Sequence, residues 1–237
     1  MTSVTKYPYE AISFRTGTKI AFQGEKGAYS EEAVTQFFGN RVTAVPYRSL
    51  LEVFSSVEKS KIKYGVVPVE NSSEGSVNET YDLLLNSRIM VCGEINLRVK
   101  HCLIANTNTK LKNITTVYSH PQALAQCRNF LRKMNVDNIP AYDTAGSVKL
   151  IKEKNLDNSA AIASLAASKI YNMNLIAKDI EDNIMNYTRF FILSKCDSPP
   201  SGDDKTSIIF SVKHIPGALY RALGALESKH MSMTKIE

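Results

Sequence analysis

Thr188 and Arg189 stand at the head of a short apolar run, Asn186-Tyr187-Thr188-Arg189-Phe190-Phe191-Ile192-Leu193. The run reads as a strand buried on both faces. A loop entering such a strand can hold polar side chains rigidly at the edge of a cleft. Thr188 offers a short, stiff hydroxyl donor, and Arg189 a planar fork that suits a carboxylate. A second polar group, Glu70, Asn71 and Ser72, ends another apolar stretch; a carboxylate beside an amide and a hydroxyl could bind or protonate a ligand. A third lies in Gly24-Glu25-Lys26-Gly27-Ala28-Tyr29-Ser30, a glycine turn whose backbone N–H groups at a helix start suit a carboxylate. It has neither the G-x-x-x-x-G-K-[ST] nor the G-x-G-x-x-G spacing of nucleotide loops. Each feature also has a plainer reading. Thr188 fits ordinary strand composition and Arg189 a surface cation. Residues 70–72 fit a polar turn capping the next helix, and the glycine turn a simple strand–helix connection.

The elements that must position these groups follow from periodicity. Strands are expected at 19–24, 43–47 and 64–72. Between them lie a helix capped by Ser30 and stopped by Gly39, and one opened by the capping box Ser49-x-x-Glu52; a second such box, Ser76-x-x-Glu79, opens the next. This βαβαβα order implies a parallel sheet with covering helices, whose ligands bind beyond the carboxyl ends of the strands. The apolar stretch 88–103 exceeds a usual strand length and reads as a crossing into a second lobe. There, strands are expected at 115–118, 138–142, 160–164 and 175–177. Helices begin at Ser119-His120-Pro121-Gln122, at Asp143-Thr144 and at Leu165. Gln122 fits the capping partner of Ser119, and His120 a surface histidine. The strand after Thr188 then completes the first lobe. Two lobes joined by crossing segments place a ligand between them.

Composition sets outer bounds. The chain has 237 residues, 43% of them hydrophobic, with a net charge of +6. Basic residues are scattered rather than blocked, which supports nucleic-acid binding weakly and suits a small anionic substrate equally well. Cys92, Cys102, Cys127 and Cys196 show no C-x-x-C spacing and read as reduced cytosolic thiols. Zinc and redox motifs are not expected. No apolar run has membrane-spanning length. Residues 1–17 lack a signal-peptide h-region and read as a leader. Residues 198–204 are linker-like. The remainder, 205–237, reads as strand (206–212), helix from Pro216, and the start of a strand (231–237). Such a β-α-β piece is too small for a core of its own.

Taken in order, six motifs resemble the prephenate dehydratases and, nearly as closely, the plant arogenate dehydratases. They are Gly27-Ala28-Tyr29-Ser30, Pro68-Val69-Glu70-Asn71-Ser72, Tyr81-Asp82-Leu83-Leu84, Ser119-His120-Pro121-Gln122-Ala123-Leu124-Ala125-Gln126-Cys127, Asp143-Thr144-Ala145-Gly146 and Thr188-Arg189-Phe190. The resemblance implies a two-lobed α/β fold like the type II periplasmic binding proteins over 18–197, with lobe 1 at 18–97 and 177–197 and lobe 2 at 98–176. It implies an ACT domain, cut short, over 205–237, with Gly217, Ala218 and Leu219 at its phenylalanine effector site. The implied reaction is decarboxylating dehydration of prephenate to phenylpyruvate, which needs no metal or organic cofactor, in homodimers or homotetramers in the cytoplasm, or in a plastid if a transit peptide has been removed. Thr188 is implied as the donor to the leaving hydroxyl, and Glu70, if protonated by burial, as an alternative proton source. Arg189, Ala28, Tyr29 and Ser30 would hold carboxylates. Asn71, Ser72, Ser119, Gln122, Thr144 and Phe190 would complete the substrate site. Two alternatives stand beside this reading. One is arogenate dehydratase, forming phenylalanine directly. The other is a non-catalytic small-molecule binding or regulatory protein, which would need no leaving-group donor.

Overall fold

The computed structural model describes residues 15–200, 202 and 204–236. Most of the stretch read as a leader, residues 1–14, lies outside the described residues. The chain divides into two units, Met1–Asp203 and Asp204–Glu237.

In the first unit, β1 (Lys19–Gln23) leads into α1 (Tyr29–Phe38) and β2 (Thr43–Tyr47) into α2 (Leu50–Glu58). Next come β3 (Tyr64–Asn71), the two-residue β4 (Gly75–Ser76) and α3 (Asn78–Leu85). β1 lies between β2 and β3, parallel to both, as strand–helix–strand connections require. α2 starts on its expected cap: Ser49 Oγ accepts the Glu52 N–H at 3.2 Å. The same spacing at Ser76 makes no cap. Ser76 is committed to β4, paired with Glu70, and α3 begins after Val77 without a side-chain cap. Nor does Ser30 cap α1. The N-cap is Ala28, and Glu31 reaches back to accept the Gly27 N–H at 2.6 Å.

The long apolar stretch divides into β5 (Met90–Arg98), a crossing at 99–101, and β6 (Cys102–Ala105) in a second sheet. That sheet adds β7 (Thr116–Ser119), α4 (Pro121–Gln126), α5 (Arg128–Met134), β8 (Asp137–Pro140), α6 (Thr144–Glu153), β9 (Ser159–Ala163), α7 (Leu165–Ile170) and β10 (Asn174–Ala177). Its strand order is β10-β6-β9-β7-β8. The single helix expected after Pro121 is broken at Cys127, whose ψ of 22° leaves the helical range and separates α4 from α5. Asp143 caps α6, its Oδ1 accepting the Gly146 N–H at 2.7 Å.

The chain then returns as β11 (Tyr187–Ser194), which inserts between β3 and β5, antiparallel to both. Its apolar run is buried on both faces as expected. Phe190 and Ile192 join a cluster with Ile20, Phe22, Val66 and Ile95, while Phe191 and Leu193 face Ala21, Val67 and Val69. Each such side chain contributes roughly 1.5–3 kcal/mol of transfer free energy. The first cluster continues into the second lobe through Ala28, Ala145, Val148 and Ala167. Glycine is required at that junction. Gly27 has φ +88°, a Cβ there would lie 2.7 Å from the Ala167 Cα, and Ser164 Oγ donates to the Gly27 carbonyl at 2.6 Å.

In the second unit, α8 (Ala218–Glu227) follows Gly217, and none of its residues is buried. The strands expected at 206–212 and 231–237 are not found among the described residues, which are exposed there. A strand needs a partner to hydrogen-bond, and a lone segment has none.

Candidate active site

A one-residue irregularity builds the site. Along β11 and β3, Ile192 pairs with Val66, Phe191 with Val67 and Phe190 with Pro68; the register then skips Val69, so that Arg189 pairs with Glu70 and Thr188 with Asn71. Such a bulge re-aims the side chains beyond it. Without it, strict alternation would place Asn71 and Thr188 on opposite faces of the sheet. With it, Asn71 Nδ2 donates to Thr188 Oγ1 at 2.9 Å. Pro68 has no N–H to give to a ladder, which marks the point where the register can slip.

The direction of this hydrogen bond is fixed by the backbone. Asn71 Oδ1 accepts the N–H groups of Ser73 (2.9 Å) and Glu74 (3.2 Å), and Nδ2 also reaches the Tyr187 carbonyl at 3.2 Å. The amide nitrogen therefore faces Thr188, whose oxygen must accept. That leaves the Thr188 proton directed away from Asn71, on a hydroxyl that is only partly buried.

Asn71 also joins the two lobes. Its Nδ2 lies 2.9 Å from Asn186 Oδ1, and Asn186 Nδ2 donates at 2.9 Å to Oε1 of Gln126 on α4. Gln126 Oε1 lies 2.9 Å from His101 Nε2, and the other ring nitrogen, Nδ1, lies 2.8 Å from the Tyr29 hydroxyl. Burial pushes the His101 pKa below the ordinary histidine value, and pushes that of Tyr29 well above the usual phenol range. Gln126 Nε2 is buried with no hydrogen-bond partner among the described residues, so its two N–H donors are unspent.

The other residues expected at the site are placed differently. Arg189 and Glu70 lie on the opposite face of the sheet from Thr188. The Arg189 guanidinium donates to the buried Glu94 through Nε at 2.8 Å and again through Nη2, with Glu70 at 3.9 Å. Its fork thus serves carboxylates of the chain itself. The Glu70 side chain is 32% exposed and faces Arg189. Phe190 is 2% exposed and belongs to the core. Ser119 is fully buried in β7, its hydroxyl spent on the Ile162 carbonyl at 2.7 Å. It does not cap α4; His120 is the cap, accepting the Gln122 N–H at 3.3 Å. Ser72 clamps the loop before β11, donating to the Met185 carbonyl at 3.0 Å and accepting the Tyr187 N–H at 2.9 Å. The Ala28 N–H closes the glycine turn onto the Glu25 carbonyl at 3.0 Å, so of that trio only the Tyr29 and Ser30 amides remain in the first turn of α1. Thr144 opens α6, half-buried. Gln122 is joined to no other expected site residue; Gln126, one helical turn on, takes that place. The sequence offered a ready capping role for Gln122 and no separate signal for Gln126, His101 or Asn186.

A family model described as prephenate dehydratase matches residues 20–198. The chain belongs to the prephenate dehydratase family. It is 41% identical over 230 residues to arogenate dehydratase/prephenate dehydratase 2, chloroplastic, of Arabidopsis thaliana, covering 96% of this chain and 60% of that one. It is 42% identical over 221 residues to the bifunctional chorismate mutase/prephenate dehydratase of Stutzerimonas stutzeri, covering 92% of this chain and 60% of that one. The chain therefore spans well under two thirds of these relatives. The solved prephenate dehydratase from Arthrobacter aurescens in complex with L-Phe superposes with a TM-score of 0.83 at 26% identity, over 92% of this chain and 75% of that one. The architecture is the two-lobed α/β fold of that family. Thr188, Asn71, Asn186, Gln126 and His101 all fall within the family match, and the second unit lies beyond it.

Proposed function

We propose that the chain is a prephenate dehydratase, converting prephenate to phenylpyruvate, carbon dioxide and water on the route to phenylalanine. The observation that carries this reading is the Thr188 hydroxyl, held as an acceptor by Asn71 at 2.9 Å so that its own proton is free to donate. The ring carboxylate leaves as carbon dioxide, and its bonding electron pair enters the ring. The ring C–O bond breaks, the leaving oxygen takes a proton to become water, and aromatisation drives the step. Hydroxide is a poor leaving group, so a donor at that oxygen is the central requirement. Thr188 is that donor: its hydroxyl hydrogen-bonds the departing oxygen, and the proton that completes the water is replaced from solvent, so the threonine ends as the neutral alcohol. The N–H pair of Gln126 supplies donors for a substrate oxygen. Thr144 and the Tyr29 and Ser30 amides orient the substrate. Arg189, with Glu70 and Glu94, is an ion cluster that stiffens β11 behind the site.

The Arabidopsis relative, whose name gives both dehydratase activities, favours arogenate as a second reading. Arogenate carries an amino group where prephenate carries a keto oxygen. The two are separated by incubating the pure chain with each substrate in turn, following phenylpyruvate by absorbance and phenylalanine by chromatography. Phenylpyruvate formation from prephenate supports the main reading, and turnover of neither would leave a binding protein. Residues 205–237 are proposed as the beginning of an ACT-type effector module, with phenylalanine as effector near Gly217, Ala218 and Leu219. A homodimer or homotetramer in the cytoplasm or a plastid completes the proposal.

A further inference from the structure

The hydrogen bonds between Thr188 and Tyr29 have a polarity that can be read from one end. The Ser73 and Glu74 N–H groups fix Oδ1 of Asn71, so Asn71 donates to Asn186. Asn186 Oδ1 is then an acceptor, and its Nδ2 must donate to Gln126 Oε1. Gln126 therefore turns its oxygen, not its nitrogen, toward His101, and a ring nitrogen 2.9 Å from that oxygen must carry a proton. A bare Nε2 would set two lone pairs against each other. The far side of the ring is compatible with either charge state. A neutral ring accepts from Tyr29 at Nδ1, 2.8 Å away, and a charged ring lets the same hydroxyl donate to the Lys100 carbonyl, 2.9 Å away.

We propose that His101, as the Nε2–H donor to Gln126 Oε1, is a positioning residue for the dehydratase site, acting together with Asn186. Two donors on one oxygen exclude the flipped amide. Flipping would set Gln126 Nε2 against two other N–H donors and turn its oxygen to the place where a substrate oxygen must bind. His101 is well placed to hold this orientation. It is 2% exposed at the crossing between the lobes, its own N–H donates to Glu181 at 2.9 Å, and its carbonyl accepts the Ile180 N–H at 3.1 Å. Tyr29 packs edge-on against the ring, with centroids 5.5 Å apart. The role rests on the dehydratase reading of the site, since it is the substrate that the Gln126 donors are held for.

The test has two arms. In the full chain with labelled histidine, a long-range 1H–15N spectrum at neutral pH should show His101 protonated at Nε2; an Nδ1–H, Nε2-bare ring would overturn the proposal whatever the activity. In the second arm, His101→Gln places an amide nitrogen near the Nε2 position, whereas His101→Phe keeps the ring shape and removes the donor. With prephenate, His101→Phe should raise KM about tenfold or more while kcat changes less, the scale of one misdirected buried hydrogen bond. His101→Gln should recover most of that loss. Equal impairment of both variants at equal thermal stability, or an unimpaired His101→Phe, would also overturn it. If the parent chain turns over neither prephenate nor arogenate, the dehydratase reading fails. The spectrum still decides the ring's polarity, and with no substrate for Gln126 to meet, the positioning role falls too.

Discussion

At the scale of single residues, the site is decided by which way two small groups point. Asn71→Asp keeps the Oδ1 acceptor for Ser73 and Glu74 but replaces the donor facing Thr188 with a second acceptor. The Thr188 proton should then turn toward the carboxylate and away from the substrate, lowering kcat by roughly two decades; steady-state kinetics on variant protein with a native circular-dichroism spectrum checks this. Arg189 lies on the other face, and its loss should read out as stability. Arg189→Gln leaves the buried Glu94 without its principal partner and should cost roughly 2–4 kcal/mol in denaturant unfolding. A change in KM with unchanged stability would instead place Arg189 at the substrate. Asn71 could be singled out because carboxyl ends of parallel strands are where such sheets bind ligands, and Thr188 because it enters a strand buried on both faces. Glu70 and Arg189 were misplaced for one physical reason. Their faces depend on the bulge at Val69, whose only local sign is Pro68.

At the scale of elements, the alternation of strands and helices was readable throughout the first unit because each carries its own hydrophobic period. Caps were less so. Ser49-x-x-Glu52 and Ser76-x-x-Glu79 share a pattern, yet the second serine is taken by pairing with Glu70, a tertiary partner that no local window contains. Ser119 is taken in the same way by the Ile162 carbonyl. Asp143 caps α6 and carries a pH signature. Burial holds its carboxyl above the ordinary 3.8, against the pull of the Gly146 N–H. The folded chain thus keeps this proton at pH values where the unfolded chain has lost it. This contribution to stability is largest at low pH and is lost as pH rises through the folded value. Asp143→Asn keeps the capping oxygen and removes the buried charge, so its melting temperature at pH 7 should equal or exceed the parent's. That advantage should shrink as pH falls toward about 4. Asp143→Ala loses the cap and should cost about 1 kcal/mol. A lower melting temperature for Asp143→Asn at pH 7 would mean that the charge itself is held by a favourable partner.

At the scale of the whole molecule, every residue of the proposed site lies in the first unit, Met1–Asp203. A chain stopped after residue 203 should therefore keep its kcat. In the second unit, α8 has an apolar stripe of Leu219, Leu223 and Leu226 but no buried residue. Phenylalanine should accordingly inhibit the 237-residue chain weakly or not at all; strong inhibition that vanishes on truncation would show that this unit already builds an effector pocket. The central claim is that the Thr188 hydroxyl donates to the leaving hydroxyl of the substrate. Its most direct test is the single-turnover rate of phenylpyruvate formation from prephenate in the parent, Thr188→Ser and Thr188→Ala chains. We expect Thr188→Ser to keep much of the parent rate and Thr188→Ala to lose roughly two to four decades with little change in substrate affinity. Turnover by Thr188→Ala at the parent rate would contradict it.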